Sequence, residues 1–316
     1  MKMIDIIGKR KYFFILSIAL ILIGVLFYII NGGFNWDIQF EGGTIIKLEM
    51  VNNDYDQGAV EANLESLVGK DLTLQKETTY NPEDNANTIS LLSVKVSKTN
   101  TLTSDEKNMI IDELTNSGLA VAGADIQIQS VEPFIGTEMR NKALSAAAIA
   151  IVLIVLYVWL RFRVMSGLAA ALCGIIALLH DALIMLAVYT VFNIPVNEIF
   201  IAAILTIIGY SMNDTIVIYD RVRENTGIMH KSDIETLVNT SINQSLPRTI
   251  NTLLTTLMTI IILYVFAVIF NVGSIKQFAF PLIIGLTSGS YSSIFIATPL
   301  WMMWKKREHL KKKLTT

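Results

Sequence analysis

The sequence predicts an α-helical polytopic membrane protein with six transmembrane helices and one α+β domain between the first two. Hydrophobic residues make up 53% of the 316 residues and charged residues only 16%, which is too little charge to cover a soluble protein of this length. Six apolar stretches are each long enough to cross the roughly 30 Å hydrocarbon core of a bilayer. One polar segment, residues 31–142, separates the first stretch from the second.

The predicted spans have lengths that suit transmembrane helices. They cover residues 12–30, 143–160, 167–187, 199–219, 250–270 and 278–304. The first follows Lys9, Arg10 and Lys11 but precedes no small-x-small cleavage site. We therefore expect an uncleaved anchor and not a signal peptide.

Basic residues set the predicted orientation. They cluster before the first span, at Arg161 and Arg163, in residues 221–231, and in the tail from Lys305 to Lys313. The positive-inside rule places these segments, and both termini, in the cytoplasm. The predicted organisation is a cytoplasmic N-terminus and first helix (1–30), an extracytoplasmic domain (31–142), helices two to six (143–304) and a basic cytoplasmic tail (305–316). The tail is expected to contact anionic lipid headgroups.

The extracytoplasmic segment alternates between strand and helix periodicity. Strands are expected at 43–51, 71–79, 88–96 and 125–131, with helices at 57–68 and 104–118 and a turn at 81–84. Ser104 is the expected N-cap of the second helix. The order β-α-β-β-α-β predicts a ferredoxin-like domain. It contains no nucleophile with a base and no phosphate loop, so a binding or coupling domain is expected and not an enzyme.

Cysteine and histidine content argues against a metal site or a disulfide. Cys173 is the single cysteine, and His180, His230 and His309 are far apart without zinc-ligand spacing. We expect no metal and no nucleic-acid partner.

Ionisable residues within the spans are the candidate functional residues, because charge at bilayer depth is costly. Asp214 in the fourth span could load and release protons, or it could cap or hydrate a helix end. Arg248 opens the fifth span at a similar predicted depth, where it could pair with Asp214 or act as a positive-inside anchor. His180 and Asp181 in the third span could extend a proton path outward, or hold helices together by hydrogen bonds.

The segment between the fourth and fifth spans has helical periodicity. Ile234, Leu237, Val238 and Ile242 share one face. This segment is expected to lie along the cytoplasmic membrane interface.

Several motifs resemble the SecD/SecF family of protein-export membrane proteins, and its SecF branch in particular. They cover nearly the whole chain: residues 209–215 (GYSMNDT), 219–225 (YDRVREN), 241–252 (SINQSLPRTINT), 289–297 (GSYSSIFIA), 179–181 (LHD) and 131–136 (VEPFIG).

The resemblance implies a role in protein secretion. Members of this branch pair with SecD, associate with the SecYEG channel, and use the proton gradient to help move preproteins across the cytoplasmic membrane. Each partner is similar to one half of an RND-type transporter. The family's proton-passage aspartate and arginine correspond to Asp214 and Arg248. Asn213, His180 and Asp181 are candidates for a polar relay, with protons as the coupling ion and no bound cofactor.

One family motif is altered here. The usual Asp-x-x-Gly-Gly after the first span is Gln39-Phe40-Glu41-Gly42-Gly43. The glycines, which permit a tight turn into the first strand, are kept, whereas Gln39 replaces the aspartate.

Two other functions remain open from the sequence. One is a proton-coupled RND-like exporter of lipids or small molecules, which the same half-transporter fold could support. The other is a purely structural partner of SecD in which Asp214 is inert.

Overall fold

The computed structural model describes residues 3–52, 54–80, 88–97 and 102–315. Within this part of the chain six helices are long and apolar enough to cross a membrane. They are α1 (Arg10–Ile30), α5 (Pro133–Arg161), α6 (Gly167–Val191), α7 (Glu198–Ile228), α8 (Ile234–Ile269), and α9 (Gly273–Ser292), which continues through a π-helical turn (Ser293–Ala297) into α10 (Thr298–Thr315). The six spans confirm the predicted class and put both termini at one end of the bundle, called here the terminal face.

A four-stranded antiparallel sheet forms the core of the domain at the opposite end, called here the domain face. Its elements are α2 (Ile38–Glu41), β1 (Gly43–Glu49), α3 (Gln57–Val68), β2 (Leu72–Tyr80), β3 (Thr88–Ser97), α4 (Ser104–Asn116) and β4 (Gln127–Val131). The strand order is β2-β3-β1-β4. The observed β-α-β-β-α-β order agrees with the ferredoxin-like pattern expected from periodicity. The predicted turn at 81–84 lies outside the described residues.

Alternation along the strands explains the position of the domain core. Ile46 and Leu48 of β1 and Val94 of β3 point to one face and are buried with Leu64 of α3 and Ile110 of α4, as the period of two in a strand requires. The intervening side chains face the helix bundle. Helices therefore cover one face of the sheet and leave the other toward the membrane.

The cap of α4 differs from the prediction by one residue. Thr103, and not Ser104, is the N-cap, and it forms a reciprocal capping box with Glu106. Lys70 contacts Glu106 at 2.7 Å. This hydrogen bond, followed by the bond from the Thr103 amide, holds the pKa of Glu106 below its ordinary value.

Two glycines make the joint between domain and membrane. Gly42 and Gly43 have φ of +80° and +137°, values that favour glycine. A Cβ on Gly43 would lie 2.2 Å from the carbonyl oxygen of Val96, and a Cβ on Gly42 would lie 2.6 Å from Cα of Pro133. The turn into β1 therefore has no room for a side chain, which supports the role predicted for the glycine pair.

Three helices form the centre of the bundle. α6, α7 and α9 pack closely because small residues face their neighbours: a Cβ on Gly285 would meet Ile207, and one on Gly289 would meet Ser211. Close approach through small residues is a common basis of helix association in membranes. α1 and α5 lie at the edge, with mostly exposed apolar surfaces.

The segment before the fifth span differs from the prediction. It does not lie along the membrane interface as a separate element but forms the first turns of α8, which continues through Pro247. Leu237, Val238 and Ile242 are buried in the bundle core at the terminal face. Their helical period reflects burial against protein instead of lipid.

The N-terminus fastens this extension of α8. The amide of Ile4 donates to Asn243 Oδ1 at 2.9 Å, and the amide of Ile6 donates to Asn239 Oδ1 at 2.9 Å. Both asparagines also donate to the carbonyl of Ile4. Residues 4–7 therefore hold α1 and α8 together at the terminal face.

Candidate functional site

Asp181 is a buried carboxylate that accepts hydrogen bonds from three serine hydroxyls. It is 1% exposed. Its Oδ2 accepts from Ser211 at 2.7 Å and from Ser292 at 2.8 Å, and its Oδ1 accepts from Ser288 at 2.7 Å. These donors satisfy acceptor oxygens that burial would otherwise leave without partners. Since they come from α7 and α9, Asp181 on α6 joins three helices.

His180 completes the surroundings of Asp181. Its Nδ1 lies 3.1 Å from Asp181 Oδ1, and the ring stacks on Tyr291 with centroids 5.9 Å apart. His180 is 7% exposed, and its Nε2 has no hydrogen-bond partner among the described residues. The predicted His180–Asp181 pair is therefore in contact, and it is placed between helices.

Asp214 has a sparser environment. It is 3% exposed, and its Oδ2 accepts one hydrogen bond, from Ser290 at 2.8 Å. Among the described residues no lysine or arginine lies within 4.0 Å of it. A buried carboxylate with so little compensation is disfavoured as an anion, and a proton is the simplest neutralising partner.

The serines of the sixth span connect the two carboxylates. Ser288 and Ser292 face Asp181, whereas Ser290 faces Asp214. Ser293 begins the π-helical turn, donates to the carbonyl of Ser211 at 3.0 Å and contacts Thr215 at 2.8 Å. Single π turns inside α-helices occur frequently at functional sites. α9 therefore passes between Asp181 and Asp214 and contacts both.

The structure does not join Arg248 to Asp214 as an ion pair. Arg248 is exposed on the bundle surface. It lies within electrostatic range of Asp214 but makes no ion pair within 4.0 Å to any described carboxylate. Asn213 is likewise exposed, so it points away from the buried Asp181 network. The candidate relay residues therefore fall into two sets: His180 and Asp181 are buried, whereas Asn213 is exposed.

Gln39 lies away from both carboxylates. Its Oε1 accepts the amide of Glu198 at 3.2 Å, at the first residue of α7. Beside it, the amide of Val196 donates to the carbonyl of Asn35 at 2.7 Å, and the amide of Asp37 donates to the carbonyl of Val196 at 3.0 Å. The altered motif therefore attaches the domain to the start of the helix that carries Asp214.

Sequence reasoning missed the hydroxyl partners. Ser290 and Ser292 were recognisable only as part of the motif at 289–297 and Ser211 only as a neighbour of Asp214, whereas Ser288 was not singled out. The available signal was the presence of four serines at 288–293 in an apolar span. The described residues contain no group of three or more His, Cys, Asp or Glu side chains that could hold a metal ion.

Six spans, a ferredoxin-like domain after the first and buried carboxylates in the central helices define a class of multi-pass membrane proteins. Residues 113–307 match the family model for the protein export membrane protein SecD/SecF, C-terminal. The chain belongs to the SecD/SecF family of protein-export membrane proteins.

Relatives and solved structures agree with this assignment. The protein translocase subunit SecF of Alicyclobacillus acidocaldarius is 38% identical over 313 residues, covering 97% of this chain and 94% of that relative. The protein translocase subunit SecDF of Bacillus subtilis is 36% identical, covering 98% of this chain and 39% of the relative. The crystal structure of SecDF, a translocon-associated membrane protein from Thermus thermophilus, matches with a TM-score of 0.78 at 30% identity, covering 96% of this chain and 39% of that one. The chain has a SecF-like role in protein export.

Proposed function

We propose that this chain assembles with SecD beside the SecYEG channel and uses the proton gradient to help move preproteins across the cytoplasmic membrane. Both termini are cytoplasmic in this proposal, and the ferredoxin-like domain acts on the far side. Protons are the coupling ion, and the subunit has no enzymatic activity of its own. The observation that carries the proposal is Asp214, a buried membrane carboxylate held by one serine hydroxyl.

Proton binding at Asp214 changes the forces between α7 and α9. The ionised carboxylate accepts the Ser290 hydrogen bond and attracts the charge of Arg248. The protonated form loses that attraction and gains a donor of its own. Each form therefore favours a different packing of α7 against α8 and α9, which is the differential affinity that a two-state mechanism requires.

Movement of α7 has a direct route to the domain. Hydrogen bonds of Val196 and Gln39 connect the start of α7 to the segment that follows α1. At the neighbouring helix connection, Asn271 Nδ2 donates to the carbonyl and the hydroxyl of Thr78 in β2. A shift of α7 relative to α8 and α9 would tilt the sheet between these two attachments.

Asp181 has a supporting role in this proposal. Its three serine donors hold α6, α7 and α9 in one arrangement, and its His180 neighbour offers a second proton acceptor inside the bundle. Asn213 on α7 and Arg248 on α8 are exposed. We infer that SecD covers them, because uncovered polar groups in lipid are costly.

The decisive experiment replaces Asp214 with Asn and measures gradient-dependent preprotein export in cells that lack their own SecF. We expect export to fall to the level of the empty strain while accumulation and co-purification with SecD stay normal. Asp112→Asn, on the exposed surface of α4, is the matched control and should leave export unchanged.

Unchanged export in an assembled Asp214→Asn complex would contradict proton coupling at this residue. It would favour the purely structural partner of SecD. Loss of co-purification would be tested with Asp214→Glu, which keeps the carboxyl group: restored assembly with restored export supports the proposal, and restored assembly without export opposes it.

A further inference from the structure

A cleft of about 540 Å³ lies between the domain and the bundle. Its roof is the open face of the sheet, formed by side chains from β1, β2 and β3. Its floor consists of the domain-face ends of α6, α8 and α9 and includes the aromatic residues Tyr189, Phe192, Tyr264 and Phe280. The cleft is separate from the Asp181 and Asp214 sites.

Two attachments hold the roof over the floor. On one side the chain at Asn35 and Asp37 pairs with Val196. On the other side Asn271 donates to Thr78. Since both are hydrogen-bonded, the cleft is a feature of the folded molecule and not a gap between unconnected parts.

The charges that line the cleft are unbalanced. Lys47 is neutralised by Glu77 at 2.7 Å, and the carboxylate of Asp37 caps α2 through the amide of Gln39 at 3.3 Å. Lys95 and Lys276 also line the cleft, and neither makes an ion pair within 4.0 Å with a described carboxylate.

The acceptors of these two lysines are neutral. Lys95 Nζ donates to the carbonyl of Trp36 at 3.4 Å, and Lys276 Nζ donates to Asn271 Oδ1 at 3.1 Å. With three lysines (Lys47, Lys95, Lys276) against Asp37 and Glu77, the cleft lining carries one net positive charge.

The position of the cleft at the ends of the membrane helices indicates which kind of ligand it binds. Phe192 and Lys276 lie within a few residues of the helix ends, where aromatic and basic side chains meet the headgroup region of a bilayer. Lysine side chains near helix ends reach the headgroup region, where lipid phosphates are the available anions. We propose that this cleft binds an anionic phospholipid, with its phosphate attracted by Lys95 and Lys276 and its glycerol region against the aromatic floor.

An extended polypeptide fits this cleft less well. The roof is the face of the sheet, which presents side chains, whereas strand addition requires the free hydrogen-bonding groups of a sheet edge. The net positive charge of the lining favours an anionic group instead. The proposal does not depend on proton coupling at Asp214.

The test uses the full chain reconstituted in phosphatidylcholine vesicles, with spin-labelled phosphatidylglycerol as the probe. We expect the unaltered protein to bind the phosphatidylglycerol label several-fold more strongly than a phosphatidylcholine label. The double variant Lys95→Gln with Lys276→Gln should abolish this preference. Lys95→Arg with Lys276→Arg should preserve it, as should Lys107→Gln, which removes one positive charge on α4 outside the cleft.

Each other outcome would overturn the proposal. Equal binding of the two labelled lipids, or an unchanged preference in the double Gln variant, would show that the cleft does not bind an anionic lipid. Full displacement by millimolar inorganic phosphate would assign the cleft to a free anion. If a photo-crosslinker at Thr73 captured a translocating preprotein while no lipid preference existed, the occupant would be a polypeptide.

Discussion

The hydroxyl of Ser211 donates to Oδ2 of Asp181 at 2.7 Å, and Ser211 lies three residues before Asp214 on α7. One helical turn therefore separates the contact with one buried carboxylate from the other carboxylate itself. Because α9 also contacts both carboxylates, a change in the charge or hydrogen bonding of either one affects the packing of α7 against α9. Asp181 thus belongs to the framework that positions Asp214.

Removal of Asp181 should destabilise the bundle more than removal of one of its donors. Interhelical hydrogen bonds in membranes average about 0.6 kcal/mol. Ser288, whose hydroxyl donates to Asp181, should lose about that much on change to Ala, whereas Asp181→Ala leaves three hydroxyls without their acceptor and should lose about 2 kcal/mol. Denaturant unfolding in mixed micelles measures the difference, and equal losses would show that Asp181 does not act as the common acceptor.

Gradient-dependent export should depend on the positive charge of Arg248 more than on the shape of its guanidinium group. Arg248→Gln removes the cation within electrostatic range of Asp214, so gradient-dependent export is expected to drop at least tenfold. Arg248→Lys keeps the charge on an exposed flexible side chain and should retain a substantial part of the activity. Export assays with SecD co-purification as the assembly control measure both, and full activity of the Gln variant would exclude an electrostatic role.

Gly43→Ala should disrupt the joint between domain and membrane. The added Cβ meets the Val96 carbonyl, and a positive φ adds strain of about 1 to 3 kcal/mol. We expect faster proteolysis of the domain. Gly58→Ala, in the first turn of α3, is the matched control: its Cβ would be in ordinary contact with Asp56 at 3.5 Å, so proteolysis should be unchanged. Equal resistance of the two variants would contradict a steric requirement at Gly43.

The Lys70–Glu106 contact should make the start of α4 sensitive to acid. Because the folded-state pKa of Glu106 is lowered, its contribution to stability is present above the unfolded pKa of about 4.3 and is lost as pH falls through the lower folded value. Amide exchange at Lys107, whose N–H bonds to the Thr103 carbonyl, should rise across that window after correction for intrinsic rates. In Glu106→Gln the extra rise should vanish, and an identical rise in this variant would assign the effect to another group.

The sequence by itself determined the class of this protein. Span length and hydropathy are local properties, so six spans and the strands and helices of the domain follow from runs of residues. The cost of burying charge likewise singled out Asp214, Asp181 and His180. The glycine pair was identifiable because a backbone turn restricts residue type at its own position.

Tertiary structure decided which of these residues meet. The serine donors of Asp181 come from two other helices, and Arg248 faces outward although its predicted depth is similar to that of Asp214. The periodic face of residues 234–242 is buried against protein, although the same pattern would suit a membrane surface. The physical reason is that hydropathy defines where a helix crosses the bilayer, whereas helix rotation and packing determine the partner of each polar side chain.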